Sequence, residues 1–313
     1  MEALRRKCDP KDVNFLVYHG NCSDGQAGAL CGYLVGKNTI QFYPGYFTPD
    51  GTDQKLLDMI QNHKKQSNAA PVNLLIVDFS YCKNFMITLS KVCDKLLLLD
   101  HHESAQKELG DLDFCYFEQE RSGCTLAWEY FMGNVNYPEL LKRIEDRDLG
   151  RFVIPQNREF TSYFYNLIPF DFEAYKSFID QPNLIQDGIE RGQTIWKLIT
   201  MQVQKKASTC SVVLTKSSSS SPGKRIAVLN LTENQSECGE HLTVEKGFDF
   251  AILWYYDSSS STIKGSIRSA KGTTNDCSKL GKHLGGGGHY NSAGFVSKLG
   301  IEELMQMIRG LEL

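Results

Sequence analysis

Four places in this 313-residue chain set acids and imidazoles at the ends of apolar or helical runs. His19 and Asp24 flank the turn cluster Gly20-Asn21-Cys22-Ser23, which follows the β-prone run Asn14 to His19. Asp78 ends the run Asn73 to Asp78, Asp100-His101-His102 ends the run from Leu96, and Asp146-Arg147-Asp148 closes a helical stretch. Singly, each acid reads as a helix cap or a solvated side chain. Together, at the carboxyl ends of parallel strands, they would form one pocket with at least two imidazoles and three carboxylates, since an open α/β sheet binds its ligands there. Such a mixture of nitrogen and oxygen donors suits Mn²⁺, Zn²⁺ or Fe²⁺ better than Ca²⁺, which takes oxygens alone. With no Lys or Arg among its ligands the pocket would repel itself. Two divalent ions about 3.5 to 4 Å apart, bridged by a carboxylate and a hydroxide, would relieve this and supply a nucleophile for phosphoester hydrolysis.

The elements that must position these residues are legible in the first half. Leu96 to Leu99 has neither helical period nor alternation, so it reads as a strand buried on both faces and ending on Asp100. Asn14 to His19, Ile40 to Tyr43 and Asn73 to Asp78 read as strands, and Gln26 to Val35, Gln54 to His63 and Asn84 to Val92 as helices, with a break at Ala69-Ala70-Pro71. Strand and helix alternate as in βαβ units, which predicts a parallel sheet with helices on both faces. Small residues at Ala27, Gly28, Ala29, Gly32 and Gly36 let the first helix lie close to that sheet. Thr125 to Phe131 and Glu139 to Ile144 are helical. Gly150 to Pro182, rich in aromatics and prolines with a mixed period, reads as an interdomain connection, and Leu184 to Lys205 as a long connecting helix. From Cys210 the pattern turns to strands: Ser211 to Thr215, Arg225 to Leu231, Phe250 to Tyr256 and Thr262 to Arg268, with hairpin tips at Ser217 to Pro222 and Ser258 to Ser261.

Composition bounds the rest. The length suggests about two domains, and 41% hydrophobic with 23% charged residues is that of a soluble globular protein. A net charge of -3 provides no overall basic field to hold long nucleic acid. The amino terminus lacks an apolar core of signal type and no run has the length of a membrane helix, so a cytoplasmic protein without a membrane partner is expected. Ten scattered cysteines without a Cys-x-x-Cys pair are read as reduced, mostly buried small hydrophobes. Nothing in the sequence sets an oligomeric state.

The ordered motifs His19-x-x-x-x-Asp24-Gly25, Val77-Asp78-Phe79-Ser80, Asp100-His101-His102 and Asp146-Arg147-Asp148 resemble those of the DHH phosphoesterase superfamily. Ile267-Arg268-Ser269, with Gly285 to His289 and Ser292-Ala293-Gly294-Phe295, is similar to the DHHA1 domain that accompanies it, so the resemblance runs over nearly the whole chain. It implies a parallel-sheet catalytic domain over residues 1–165, a helical linker over 166–207 and a smaller mixed α/β substrate-binding domain over 208–313. It also implies that His19 and Asp78 hold one metal, and that Asp24, Asp78, His101 and Asp148 or Asp146 hold the other. Asp78 would be the bridge, His102 would face the scissile phosphate, and Asp100 would orient its neighbours. The two ions would be Mn²⁺ first, with Mg²⁺ or Zn²⁺ as alternatives. One departure stands out: many members carry a further Asp where this chain has Cys22, so that a thiolate joins the first site or the site lacks one ligand.

The glycines before His289 are expected to form a loop whose backbone N-H groups of Gly286, Gly287 and Gly288 approach an anion. Arg268 would grip a terminal phosphate as a bidentate partner, with Ser269 and His289 beside it. His63, His241 and His283 read as ordinary surface histidines. The expected activity is a two-metal phosphohydrolase of short oligonucleotides or small nucleotides, such as pAp and linear or cyclic dinucleotides, with its site in a cleft between the domains. The chain has no room for the extra nucleic-acid-binding domains of the family's processive exonucleases. An inorganic pyrophosphatase or exopolyphosphatase, and a non-catalytic nucleotide-binding relative, are the alternatives.

Overall fold

A computed structural model describes residues 1–48, 50–66, 70–217 and 223–311. It divides into two compact units, Met1–Trp196 and Lys197–Leu313. In the first, α1 (Glu2–Lys7) precedes β1 (Phe15–His19), α2 (Ser23–Gly36), β2 (Gln41–Gly45), α3 (Gln54–Gln66), β3 (Asn73–Val77), α4 (Lys83–Val92), β4 (Lys95–Asp100), α5 (Glu103–Leu109) and β5 (Cys115–Phe117). A run of helices follows: α6 (Gly123–Met132), α7 (Glu139–Asp148), α8 (Asn157–Leu167), α9 (Phe172–Asp180) and α10 (Asn183–Ala207), the last of which continues past Trp196 into the second unit. The sheet order is β2-β1-β3-β4-β5, with every pair parallel.

The apolar runs of β3 and β4 are explained by this central position. Their side chains alternate between two cores, as a period of two requires. Leu75, Val77, Leu97 and Leu99 face a cluster that includes Leu30 of α2, Tyr130 of α6, Ile144 of α7 and Phe160 of α8. Leu74, Ile76 and Leu98 face the other, with Leu56 and Ile60 of α3 and Met86 and Leu89 of α4. Because β1 connects outward to β2 on one side and the chain then crosses to β3 on the other, the strand order reverses between β1 and β3. That reversal opens the crevice in which His19 and Asp78 stand.

The segment 150–182 departs from expectation. Read from its mixed period as an interdomain connection, it instead forms α8 and α9, whose Phe160, Phe164, Tyr175 and Phe178 are buried in the first core. Its aromatics recur at helical spacing, and the prolines that obscured the period fall outside those helices, at 155, 169 and 182. Ile185 and Ile189 of α10 join the same core.

The second unit contains β6 (Ser211–Leu214), β7 (Arg225–Asn230), α11 (Gln235–Glu240), β8 (Phe250–Asp257), β9 (Thr262–Arg268), α12 (Cys277–His283), β10 (Gly286–His289), β11 (Ser292–Ser297) and α13 (Ile301–Gly310). Its mixed sheet has the order β10-β11-β9-β8-β7-β6, with β7 and β8 parallel and the other neighbours antiparallel. Ser258 to Ser261 is the tip of the β8-β9 hairpin, as expected. Of the other two expected breaks, Ala69 and residues 218–222 lie outside the described residues.

Three further expectations bear on the site. The ten cysteines are all free. No helix among the described residues is long and apolar enough to cross a membrane. His241 is not a surface residue: it is 7% exposed, in a π-turn after α11, where its Nδ1 lies 2.9 Å from Glu245 Oε2. A lone histidine in a polar-looking run gives no period from which such burial could be read.

Candidate metal centre

His19 is the last residue of β1, and its ring packs edge-on against Phe47 and tilted against the fully buried Phe79. The chain then turns through Asn21, at φ 57°, and enters α2 with Cys22 as N-cap and Asp24 in the first turn. Asp24 is 1% exposed, and a second helix holds it. Its Oδ1 accepts from Ser122 Oγ at 2.6 Å and Cys124 N at 3.1 Å, while Oδ2 accepts from Gly123 N at 2.6 Å. The amino terminus of α6, whose first N-H groups have no acceptor within the helix, thus directs them and its positive dipole end at a carboxylate. Gly123 is required there, because a Cβ would stand 2.4 Å from Asp78 Cβ and 2.9 Å from Asp24 Oδ2. Sequence reasoning missed Ser122, Gly123 and Cys124. Ser122 before an apolar run signals a helix start, but nothing local says that the start points at Asp24.

Asp78 follows β3 in a left-handed conformation, φ 57°, which non-glycine residues seldom adopt and Asp tolerates better than most. Buried to 1% exposure, it stands between two groups of donors. Its Oδ2 is 3.4 Å from Cys22 Sγ and 3.5 Å from His19 Nδ1. Its Oδ1 is 3.1 Å from His101 Nε2, which is also 3.4 Å from Asp148 Oδ2 and 3.9 Å from Asp24 Oδ2. In each of the groups His19/Cys22/Asp78 and Asp24/His101/Asp148, the ligand atoms lie within 4.8 Å of one another.

Asp100, fully buried at the end of β4, organises the two histidines. Its Oδ1 accepts from His101 N at 2.7 Å and His102 N at 3.3 Å, and lies 2.7 Å from His102 Nδ1. The last contact fixes the ring of His102 with a proton on Nδ1 and its other nitrogen turned away from Asp100.

The pair at the end of α7 separates by geometry. Asp146, 3% exposed, accepts from Val153 N at 2.8 Å, Ile154 N at 3.4 Å and Asn157 Nδ2 at 2.6 Å, so it ties α7 to the start of α8. Asp148 is the one whose carboxylate meets His101. Asp146→Ala is therefore expected to cost about 1 to 3 kcal/mol of stability, the usual consequence of stranding buried donors. Asp148→Ala is expected to leave the melting temperature of metal-free protein nearly unchanged while lowering metal uptake. Thermal melts with parallel metal analysis check both, and equal melting losses in the two variants would contradict the division.

The electrostatics are those of a pocket with surplus negative charge. Burial, together with the charges of Asp78 and Asp148, pushes the Asp24 carboxyl well above the usual carboxylate range. Burial works against ionisation of Asp78 too, but the neighbouring His101 and His19 hold it well below that range. Burial opposes charge on His101, whereas Asp78, Asp148 and Asp24 outweigh it and push the imidazole up. The Cys22 thiol is pushed well up by burial and by the same three carboxylates. Cations placed among these groups would favour the carboxylates and the thiolate and disfavour a charged His101. The residues present fit such ions: nitrogen, oxygen and sulfur donors converge, and His19 Nδ1 and Asp100 Oδ2 are buried without a hydrogen bond among the described residues.

In the second unit, residues 286–289 are not a loop. They form β10, paired antiparallel with β11 so that Gly286 faces Phe295 and His289 faces Ser292. The glycines allow the two backbones to approach: a Cβ on Gly286 would fall 1.9 Å from the carbonyl oxygen of Gly294. Ser292 in turn pairs with Arg268 across β9, so Arg268, Ser292 and His289 lie in one row over three strands, on one face of the sheet. The guanidinium is held in place, with Nη1 donating to Ser266 Oγ at 2.6 Å and Ile267 O at 2.9 Å, and Nη2 to Ser236 Oγ at 2.9 Å. Ser269 turns inward, donating to Asn275 O at 2.7 Å and accepting from Asn291 Nδ2 at 3.0 Å.

No family model matches the chain. It is 29% identical over 300 residues to the uncharacterized protein R106 of Acanthamoeba polyphaga mimivirus, covering 91% of this chain and 67% of that protein. Among solved structures it is similar to RecJ of Thermus thermophilus in complex with Mn²⁺, with 13% identity and a TM-score of 0.49. That match covers 98% of this chain and 52% of RecJ, so the chain spans about half of RecJ's length. It is also similar to the pGpG-specific phosphodiesterase PggH of Vibrio cholerae, with 13% identity, a TM-score of 0.46 and coverage of 95% and 98%. The chain has a two-unit α/β architecture: a parallel-sheet unit whose strand ends gather His19, Asp24, Asp78 and Asp100-His101-His102, and a mixed-sheet unit bearing Arg268 and the glycine-rich hairpin.

Proposed function

We propose that the protein is a metal-dependent phosphohydrolase of short oligoribonucleotides or small nucleotides, pAp and linear or cyclic dinucleotides among them. The observation that carries this reading is that Asp78 stands between the two groups of donors, with Oδ2 beside Cys22 and His19 and Oδ1 beside His101. His19, Asp78 and Cys22 would hold one divalent ion, and Asp78, Asp24, His101 and Asp148 the other, with Mn²⁺ the leading identity. Bound there, such ions polarise a phosphoryl oxygen and lower the pKa of water enough to make it a nucleophile at neutral pH.

The chain's own residues do the rest. Gly123 N, Cys124 N and Ser122 Oγ fix the Asp24 carboxylate so that it need not reorganise when a charge arrives. Asp100 keeps the Nδ1 proton on His102 and directs its far nitrogen toward the scissile phosphate. In the second unit, the row Arg268, Ser292 and His289, with the backbone of Gly286, Gly287 and Gly288 nearby, would take the substrate's other phosphate, while Ser269 supports that row from within. A small substrate suits the net charge of -3, which offers long nucleic acid no broad electrostatic footing.

A panel assay with Mn²⁺ tests the reading: pAp, dinucleotides including pGpG, cyclic dinucleotides, pyrophosphate and polyphosphate. Turnover of a nucleotide ester is expected. Turnover of pyrophosphate or polyphosphate alone would replace this reading with an inorganic one, and metal uptake without turnover of any of them would leave a nucleotide-binding relative.

A further inference from the structure

The two groups of donors differ in chemical softness, and the difference comes from a single residue. Asp24, His101 and Asp148 offer nitrogen and oxygen only, whereas His19, Cys22 and Asp78 offer nitrogen, sulfur and oxygen. The sulfur is aimed at the centre. Cys22 is the N-cap of α2, a place where Ser, Thr, Asp or Asn would bond the helix's first N-H groups, yet its side chain makes no capping bond. The thiol lies instead 3.4 Å from Asp78 Oδ2, the same oxygen that His19 Nδ1 approaches at 3.5 Å. A tetrahedral ion with bonds of about 2.0 to 2.2 Å to nitrogen and oxygen and about 2.3 Å to sulfur would separate its ligand atoms by about 3.3 Å for N···O and about 3.6 Å for S···O. The spacings present, 3.5 Å for N···O and 3.4 Å for S···O, are close enough to those values for small side-chain adjustments to bring the three atoms onto one ion.

Building on the proposed metal centre, we infer that Cys22 is a ligand that makes the first position a thiophilic one, taking Zn²⁺ or Co²⁺ in preference to Mn²⁺ or Mg²⁺, while the all-nitrogen-and-oxygen position keeps the harder ion. The protein then carries two chemically unlike ions. Binding replaces the S-H bond with a metal-sulfur bond and releases one proton to water. Three protein ligands would leave room on the ion for solvent or substrate, as a catalytic site requires.

Three measurements on the full chain test this. Co²⁺ added to metal-free protein is expected to give a near-ultraviolet thiolate-to-cobalt charge-transfer band in addition to visible d-d bands. The charge-transfer band should vanish in Cys22→Ser and Cys22→Asp while the d-d bands persist. Metal analysis after equilibration with equimolar Zn²⁺ and Mn²⁺ is expected to show the Zn:Mn preference falling on the order of tenfold or more in Cys22→Asp, which restores an oxygen donor. The third requires no variant: Zn²⁺ should slow alkylation of Cys22 by iodoacetamide on the order of tenfold, mapped by peptide mass spectrometry, and leave the half-buried Cys82, Cys115 and Cys210 unaffected as internal references. Visible cobalt bands without a charge-transfer band, a band that survives in Cys22→Ser, or alkylation of Cys22 indifferent to Zn²⁺ would each overturn Cys22 as a ligand and leave the metal centre standing. No cobalt absorption and no retained metal in any of the proteins would overturn the centre itself.

Discussion

Asp78→Asn is expected to lower kcat on the order of 10³-fold or more, because a ligand common to both ions supports several kcal/mol of charge stabilisation and each 1.36 kcal/mol is a factor of about ten. Asn is the informative replacement. Position 78 has φ 57°, which Asn accepts, whereas Ala there would add about 1 to 2 kcal/mol of backbone strain and blur loss of metal with loss of fold. The accompanying readout is thermal stability. In the wild type, Mn²⁺ at a hundred times its dissociation constant should stabilise the fold by about 2.7 kcal/mol, and in Asp78→Asn this increment should largely disappear. In metal-free protein the exchange removes repulsion from Asp24 but also the charge that holds His101, so the readout is the metal-dependent increment within each protein rather than the difference between the metal-free melts. Activity above a tenth of wild type, with the metal-dependent stabilisation intact, would rule out Asp78 as the shared ligand.

Arg268→Ala is expected to act on the other side of the reaction. A group that grips ground state and transition state alike raises KM and spares kcat, and a desolvated charge pair of this kind is worth about 2 to 5 kcal/mol, so KM for pAp or a dinucleotide should rise between about thirtyfold and a few thousandfold. Metal content should not change. Bis-p-nitrophenyl phosphate, which has no second phosphate to hold, should be affected far less. Since Ser236 and Ser266 orient the guanidinium, Ser236→Ala is expected to give a milder loss in the same direction. An equal loss on both substrates, or loss of metal, would make Arg268 a structural residue.

How much of this was legible in the sequence depends on whether a feature is local. The run from Leu96 to Asp100 announced a central strand because burial on both faces removes any alternation, and its bounds, Lys95–Asp100, match the reading. His19, Asp24, Asp78 and His101 could be brought together from strand ends alone, because parallel topology fixes where those ends meet. What depends on tertiary approach was not legible. Asp146 and Asp148 are two residues apart with the same chemistry, and only the hydrogen bonds from Val153, Ile154 and Asn157 tell them apart. Gly286, Gly287 and Gly288 suggested an open loop because glycine is poor in strands, and here a close neighbouring strand is what demands it. The helices α8 and α9 were hidden by the prolines that flank them.

The contact of Gly123 with Asp78 and Asp24 has a consequence for how the gene can vary. Position 123 touches no proposed ligand atom through a side chain of its own, yet there is no space for a single methyl group: the added carbon would collide with the backbone and Cβ of Asp78. A saturation library selected for activity should therefore find residue 123 as intolerant as the acids and histidines themselves, with alanine already depleted. Leu126, also buried on α6, should still accept isosteric apolar exchanges. The map of intolerant positions would extend one helix beyond the donors, because this helix begins by filling the space between two of them.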